Sequence, residues 1–253
     1  MADTPPFFWG LAGLAAGLFG FVMGLRYLFM RRLIENIPTS KVRSIAMGLV
    51  EVYGSVVPIK VLKSPFSNRD CVYYRYQIEE QRSDGKRTYW ATIRKEENST
   101  SFMLRDETGQ VLVDCKGASV DIKLDNRYES GMGHDPPQQV LSFLKVQRIA
   151  HDSFLGFNKH MRYTEWFIEP DDKLYVMGTA SQGGAGVLGP RHTENIIIKK
   201  GENDKTFYVS DKSEKEILSS LRWKILLGVF GGAALIVGSL AFLIFGMQMG
   251  ILF

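Results

Sequence analysis

The order of apolar and polar positions divides the chain into three parts. Two runs without Asp, Glu, Lys or Arg, Thr4 to Leu25 and Ile225 to Phe253, bracket a middle in which apolar and polar residues alternate. Each run reaches the roughly 20 residues a helix needs to cross a bilayer. The first predicts a span from Phe7 to about Leu25, continued as helix to Asn36 and stopped at Pro38. It lacks the basic n-region and the small-residue cleavage site of a signal peptide, so an uncleaved anchor is expected. The second predicts a span from about Ile225 to Phe245 or beyond.

Glycines inside the spans are not scattered. At about 100° per residue, Gly13, Gly17, Gly20 and Gly24 fall on one narrow stripe of the first helix, and Gly228, Gly232 and Ser239 on another of the second. In lipid such stripes let backbones approach closely. Helix packing is therefore expected through Gly13, Gly17, Gly20, Gly24, Gly228 and Gly232, either within one chain or between chains of a homo-oligomer.

The middle follows a two-residue period in most places. Ile45 to Ile59 alternates small and β-branched residues and predicts a strand. Two alternating runs around Asp84-Gly85 predict a hairpin from Cys71 to Ile93. A second hairpin is expected from Ser101 to Cys115 around the turn Asp106 to Gly109, with a third strand over Ala118 to Leu124. Polar residues Asp125 to Asp135 predict a loop, and Pro137 the first residue of a helix reaching about Ile149. Strands are expected again over Tyr163 to Ile168, Lys173 to Ala180, Asn195 to Lys199 and Thr206 to Val209. Ser213 with Glu216 three residues on is a capping box that opens a helix leading into the second span.

The expected class is α+β: a mostly antiparallel β domain with one or two helices, flanked by two transmembrane helices. The divisions are 1–36, an N-terminal span and helical linker; 37–211, the β-rich domain; and 212–253, a linker helix and C-terminal span.

Composition narrows the functions. Aromatics at 12% with modest charge exclude disorder, and two cysteines, Cys71 and Cys115, exclude a disulfide framework. A net charge of +4 is no nucleic-acid footprint, so no nucleic-acid partner is expected. Lys and Arg crowd the domain side of both spans, at Arg26, Arg31, Arg32, Lys41, Arg43, Lys212, Lys215, Arg222 and Lys224, while the outer tails carry none. The positive-inside rule then places the domain in the cytoplasm with both termini outside.

Three stretches resemble one family together: Ile37-Pro-Thr-Ser-Lys-Val with Gly48-Leu-Val-Glu-Val-Tyr-Gly; Ser64-Pro-Phe through Cys71-Val-Tyr-Tyr-Arg-Tyr; and Tyr163-Thr-Glu-Trp-Phe-Ile-Glu-Pro-Asp-Asp-Lys-Leu-Tyr-Val-Met-Gly. The chain is similar over about residues 30–222 to the GIDE domain, also called BAM for "beside a membrane". That domain is the region between the two spans of mitochondrial and chloroplast outer-envelope E3 ubiquitin ligases, and prokaryotic proteins carry it alone, so the resemblance implies a prokaryotic-type cell membrane, with an organelle outer envelope as the alternative. One departure is Asp171, where the family pattern carries glycine; a type I turn, which tolerates Asp, is expected there. In those ligases activity resides in a RING after the second span, whose two zinc sites need about eight Cys and His ligands. This chain has two Cys and four His, without ligand spacing, so neither zinc nor intrinsic ubiquitin transfer is expected.

Other chemistries fail on context. Gly184-Ala-Gly186-Val-Leu-Gly189 fits G-x-G-x-x-G but leads into the β-rich Ile196-Ile-Ile rather than a helix, so it reads as loop. His151-Asp152-Ser153 holds triad residue types, but adjacent residues cannot supply triad geometry. No catalytic, cofactor or metal residue is assigned. Candidate partner-binding residues are Arg75, Glu79, Tyr163, Glu165 and Trp166, on strands that alternate aromatic and charged side chains. The function expected is a membrane-anchored scaffold with protein partners and membrane lipid. The alternatives are a ligase-like accessory acting with a separate catalytic partner, or a membrane hydrolase with an unrecognised site.

Overall fold

The computed structural model describes residues 6–36, 40–131, 133–150, 159–183, 195–202 and 206–248. The chain forms two compact units, one of residues 1–38 with 213–253 and the other of residues 39–212. The class is α+β: mostly antiparallel strands in the middle, long apolar helices at both ends.

In the first unit, α1 (Pro6–Asn36) is one 31-residue helix. The second helical stretch is interrupted: α3 (Glu214–Ile225) passes through a π-helical segment (Leu226–Gly231) into α4 (Gly232–Gln248). The capping box is present, with the Ser213 hydroxyl accepting from Glu216 N–H and the Glu216 carboxylate accepting from Ser213 N–H. Phe7–Glu35 and Glu216–Gly246 are both long and apolar enough to cross a membrane. Large side chains such as Phe19, Phe29, Leu227, Phe230 and Val237 are exposed on the pair, as lipid contact requires.

In the second unit, a seven-stranded sheet begins with β1 (Gly48–Pro58). This strand pairs with β6 (Phe102–Arg105) on one side and with β11 (Lys173–Gln182) on the other. β6 pairs with β7 (Gln110–Val113), β7 with β12 (Ile196–Lys199) in parallel, and β12 with β11. These five strands close a ring, which removes its edges. β13 (Tyr208–Ser210) and β8 (Ser119–Asp121) continue the sheet from β11. Alternation along β1 and β11 sends Val50, Val52, Val56, Leu174 and Val176 inward, where Leu104, Val111, Val113, Ile196 and Ile198 complete the core.

A four-stranded antiparallel sheet runs in the order β5 (Thr88–Ser99), β4 (Tyr73–Ser83), β10 (Met161–Ile168), β9 (Asn126–Ser130). The short helix α2 (Gln138–Val146) buries Val140 and Leu144 in the same core as Phe66, Tyr76, Ile78, Met161 and Tyr163. Phe66, Tyr76, Phe143 and Tyr163 meet edge to face at centroid distances of 5.2 to 6.0 Å.

Three expectations need correction, and one pairing was unforeseen. Polar Asn126–Ser130 is a strand, because β10 offers it a ladder although its own side chains carry little apolar signal. Pro137 is the N-cap of α2 rather than its first residue, with ψ 149°. A two-residue ladder of β2 (Leu62–Lys63) with β3 (Asp70–Cys71) was not anticipated. The turn at Pro170-Asp171 has φ +68° at Asp171 and a hydrogen bond from Asp172 N–H to Glu169 C=O. That is a type II turn, whose third position favours glycine, and not the type I turn expected.

Candidate functional site

The register of β4 against β10 decides what the candidate residues can touch. Trp166 lies opposite Arg75 and Arg162 opposite Glu79, so these four share one face of the four-stranded sheet. Opposite pairs are the closest side-chain neighbours in a sheet. The Arg75 guanidinium sits 4.5 Å from the Trp166 ring centroid, and that of Arg162 4.0 Å from Trp90 on β5. Arg162 also meets Glu129 on β9 at 3.2 Å and Glu79 at 3.8 Å. Its side chain is 24% exposed and that of Glu79 17%, so water screens the pair only in part. One arginine thus gathers three other strands onto one half-buried face of charge and indole.

Tyr163 and Glu165 point to the other face and are fully buried. Glu165 accepts from Phe66 N–H at 3.0 Å and from the Asn126 amide at 3.1 Å. Tyr163 contacts the Ser130 hydroxyl at 3.3 Å and packs in the aromatic core. A residue with no exposed surface cannot belong to a docking face, so of the five candidates the structure gathers Arg75, Glu79 and Trp166 and separates off Tyr163 and Glu165. Arg162 and Glu129 were missed by sequence reasoning. The signal for Arg162 was its place in one two-residue period with Thr164 and Trp166, usable only once the β4 register is known; Glu129 was hidden in the stretch read as loop.

Two further networks fix where the chain enters and leaves this unit. At the entry, the Asp106 carboxylate accepts from Val42 N–H at 3.0 Å and, in its own turn, from Thr108 and Gly109 N–H. Arg43 N–H donates to the Thr108 hydroxyl, and Lys41 pairs with Glu107 at 2.5 Å. Burial works against ionisation of Asp106, but these donors outweigh it and hold its carboxyl below the usual range. At the exit, Asp121 takes Lys212 Nζ at 2.9 Å on both oxygens and the Tyr208 hydroxyl at 2.8 Å.

Reactive groups are quiet. Burial first, then the nearby carboxylates led by Glu165, push the Cys71 thiol up to about 12; burial and Asp114 push Cys115 to about 12. Neither is a thiolate at neutral pH. Asp125 is pushed up to about 6, chiefly by burial, with Asp172 and Glu169 adding to the shift and Phe167 N–H opposing it. Its Oδ2 accepts from Phe167 N–H at 2.8 Å, which ties the approach to β9 onto β10. Among the described residues no three of His, Cys, Asp and Glu are grouped to hold a metal ion. The G-x-G-x-x-G stretch and His151-Asp152-Ser153 lie outside the described residues.

In the helical unit the two glycine stripes meet each other. A Cβ placed on Gly24 would stand 2.5 Å from Val229 N and 2.9 Å from Gly228 Cα; one on Gly13 would reach the Ser239 hydroxyl. One on Gly17 would stand 3.0 Å from the Gly232 carbonyl oxygen, whereas one on Gly20 would meet nothing closer than Gly232 Cα at 3.8 Å.

A mostly antiparallel β domain flanked in sequence by two helices long and apolar enough to cross a membrane is the class the fold defines. Residues 73–244 match the GIDE family model, described as E3 ubiquitin ligase. The chain belongs to the GIDE family. No curated protein and no solved structure matches it.

Proposed function

We propose that the chain is a membrane-anchored interaction module that binds protein partners through the Arg75–Trp166 and Glu79–Arg162–Trp90 face, and that it carries no catalysis of its own. The observation behind this reading is the cross-strand ladder itself. It presents arginine and tryptophan, the residues that most often dominate binding energy, half-buried and pre-positioned by their neighbours. The domain faces the cytoplasm in this proposal, because nine Lys and Arg flank the spans on its side.

Co-purification from native membranes with mass spectrometry is the test. A stoichiometric protein partner is expected with the native chain and is lost with Arg162→Ala combined with Trp90→Ala, while the thermal transition of the variant stays cooperative. Retention of the partner by that variant would move the interface elsewhere. Protease added to intact spheroplasts should leave the domain whole, and digestion without lysis would reverse the orientation. Family membership also supports a second reading, a ligase accessory with a separate catalytic partner. That reading requires the co-purified protein to be a component of ubiquitin conjugation.

A further inference from the structure

On the outer face of the closed ring, Leu49, Thr179 and Lys199 stand side by side on β1, β11 and β12, and Ser181 follows two residues along β11 on the same face. They line a cleft of about 340 Å³, which Lys200 and Gly201 extend past the end of β12. The Thr179 and Ser181 side-chain oxygens are buried and have no hydrogen-bond partner. Two orphan hydroxyls two residues apart on one strand face are unusual, because a buried polar group without a partner is costly and the great majority are satisfied by protein, water or ion. Hydroxyls that can turn their protons outward, with Lys199 on the same face and Lys200, whose side chain lies by Gly117, at the end of the cleft, are a donor set suited to an oxyanion.

We propose that this cleft binds a phosphate group, with the Thr179 and Ser181 hydroxyls donating to its oxygens and Lys199 and Lys200 supplying charge. Glu202 also borders the cleft, so the local balance is two cations less one anion, or +1. That suits a phosphate monoester or inorganic phosphate and disfavours carriers of several added charges. The two oxygens are closed to solvent, so a ligand reaches them only as a covering side chain shifts. The group can reach the cleft as free phosphate or on a lipid headgroup, and the chemistry is shared.

The experiment uses the full chain in nanodiscs. In discs of phosphatidylcholine alone, inorganic phosphate is titrated at constant ionic strength and followed by calorimetry and thermal shift; a second set of discs contains phosphatidic acid and no free phosphate. Binding in the first set assigns the site to free phosphate. A shift confined to the second assigns it to a headgroup, and either upholds the proposal if Thr179→Val with Ser181→Ala weakens it at least tenfold. This double variant keeps side-chain volume and removes only orphan hydroxyls, so the unliganded transition should stay level or rise. Lys199→Gln with Lys200→Gln, at exposed positions, serves if the first variant does not fold. Glu202→Gln should strengthen binding several-fold. No binding in either set, or binding that neither double variant weakens, overturns the proposal.

Discussion

Asp171 and Asp106 are acidic turn residues with opposite relations to their backbones. At φ +68° Asp171 occupies the left-handed region, which costs a non-glycine residue roughly 1 kcal/mol. The turn is nevertheless held, because Asp171 N–H donates to Val56 C=O at 2.8 Å and Val56 N–H to Asp172 C=O at 2.9 Å. Its only described ion partner, Arg105, stands at 3.8 Å with both side chains exposed and contributes little. Asp171→Gly should therefore stabilise the domain by about 0.5 kcal/mol after the added freedom of the unfolded chain is counted, a rise read in chemical denaturation. A fall would mean that the carboxylate does more than the turn requires. Asp106 is the reverse case, a charge the fold needs. Its folded-state carboxyl ionises more readily than in the unfolded chain, so its stabilisation is present above the unfolded value and is lost as pH falls through the lower folded one. Asp106→Asn must turn an NH₂ group toward either Val42 N–H or the Thr108 and Gly109 donors, so a loss of about 1–2 kcal/mol at pH 7 is expected. The loss should shrink as pH falls below the unfolded value and through the lower folded one, where the native side chain protonates too; a loss that is flat with pH would place the effect in packing instead.

Among the elements, those with a strong period were legible and those made by their neighbours were not. β4 and β5 announced themselves through alternation around Asp84-Gly85, and their turn is closed by Lys86 and Arg87 N–H donating to the Asp84 carboxylate. β9 did not, because Asn126, Arg127 and Glu129 are polar and the strand exists through its ladder to β10. The π-helical turns at Leu226–Gly231 also left no hydropathy signal; this segment holds Gly228, whose backbone lies directly against that of Gly24. The stripe arithmetic treats its glycines as equals, and the packed helices do not. Gly24→Ala would force a methyl group to 2.5 Å from backbone, which side-chain motion cannot relieve, whereas Gly20→Ala has room at 3.8 Å. Gly24→Ala should lower the thermal stability of the detergent-solubilised chain by several degrees and Gly20→Ala by almost nothing, with equal effects counting against this helix pairing.

At the scale of the whole molecule, the class and the family were legible from two apolar runs and three sequence stretches, but the closed ring was not. Closure depends on β11 meeting β1 on one side and β12 on the other, contacts far apart in sequence that no local period encodes. The same long-range ignorance left the use of the glycine stripes open between one chain and several. In this chain they lie against each other, and the surface left over carries bulky Phe8, Trp9, Phe19, Phe29, Phe230 and Phe245. Close backbone approach drives association in lipid, and the long stripes that allow it are taken up within the chain, which leaves a neighbouring protomer only the shorter exposed runs Ala12/Ala16 and Gly231/Ala234/Gly238. An oligomer built on the stripes would have to part the two helices of each chain first. The purified protein in mild detergent and in nanodiscs is therefore expected to be monomeric by light scattering and by crosslinking. Gly17→Ile with Gly20→Ile, which sets bulk against the Gly232 carbonyl, should loosen the helix pair without changing the number of chains. A defined wild-type oligomer that falls apart in this variant would show that the stripes serve between chains.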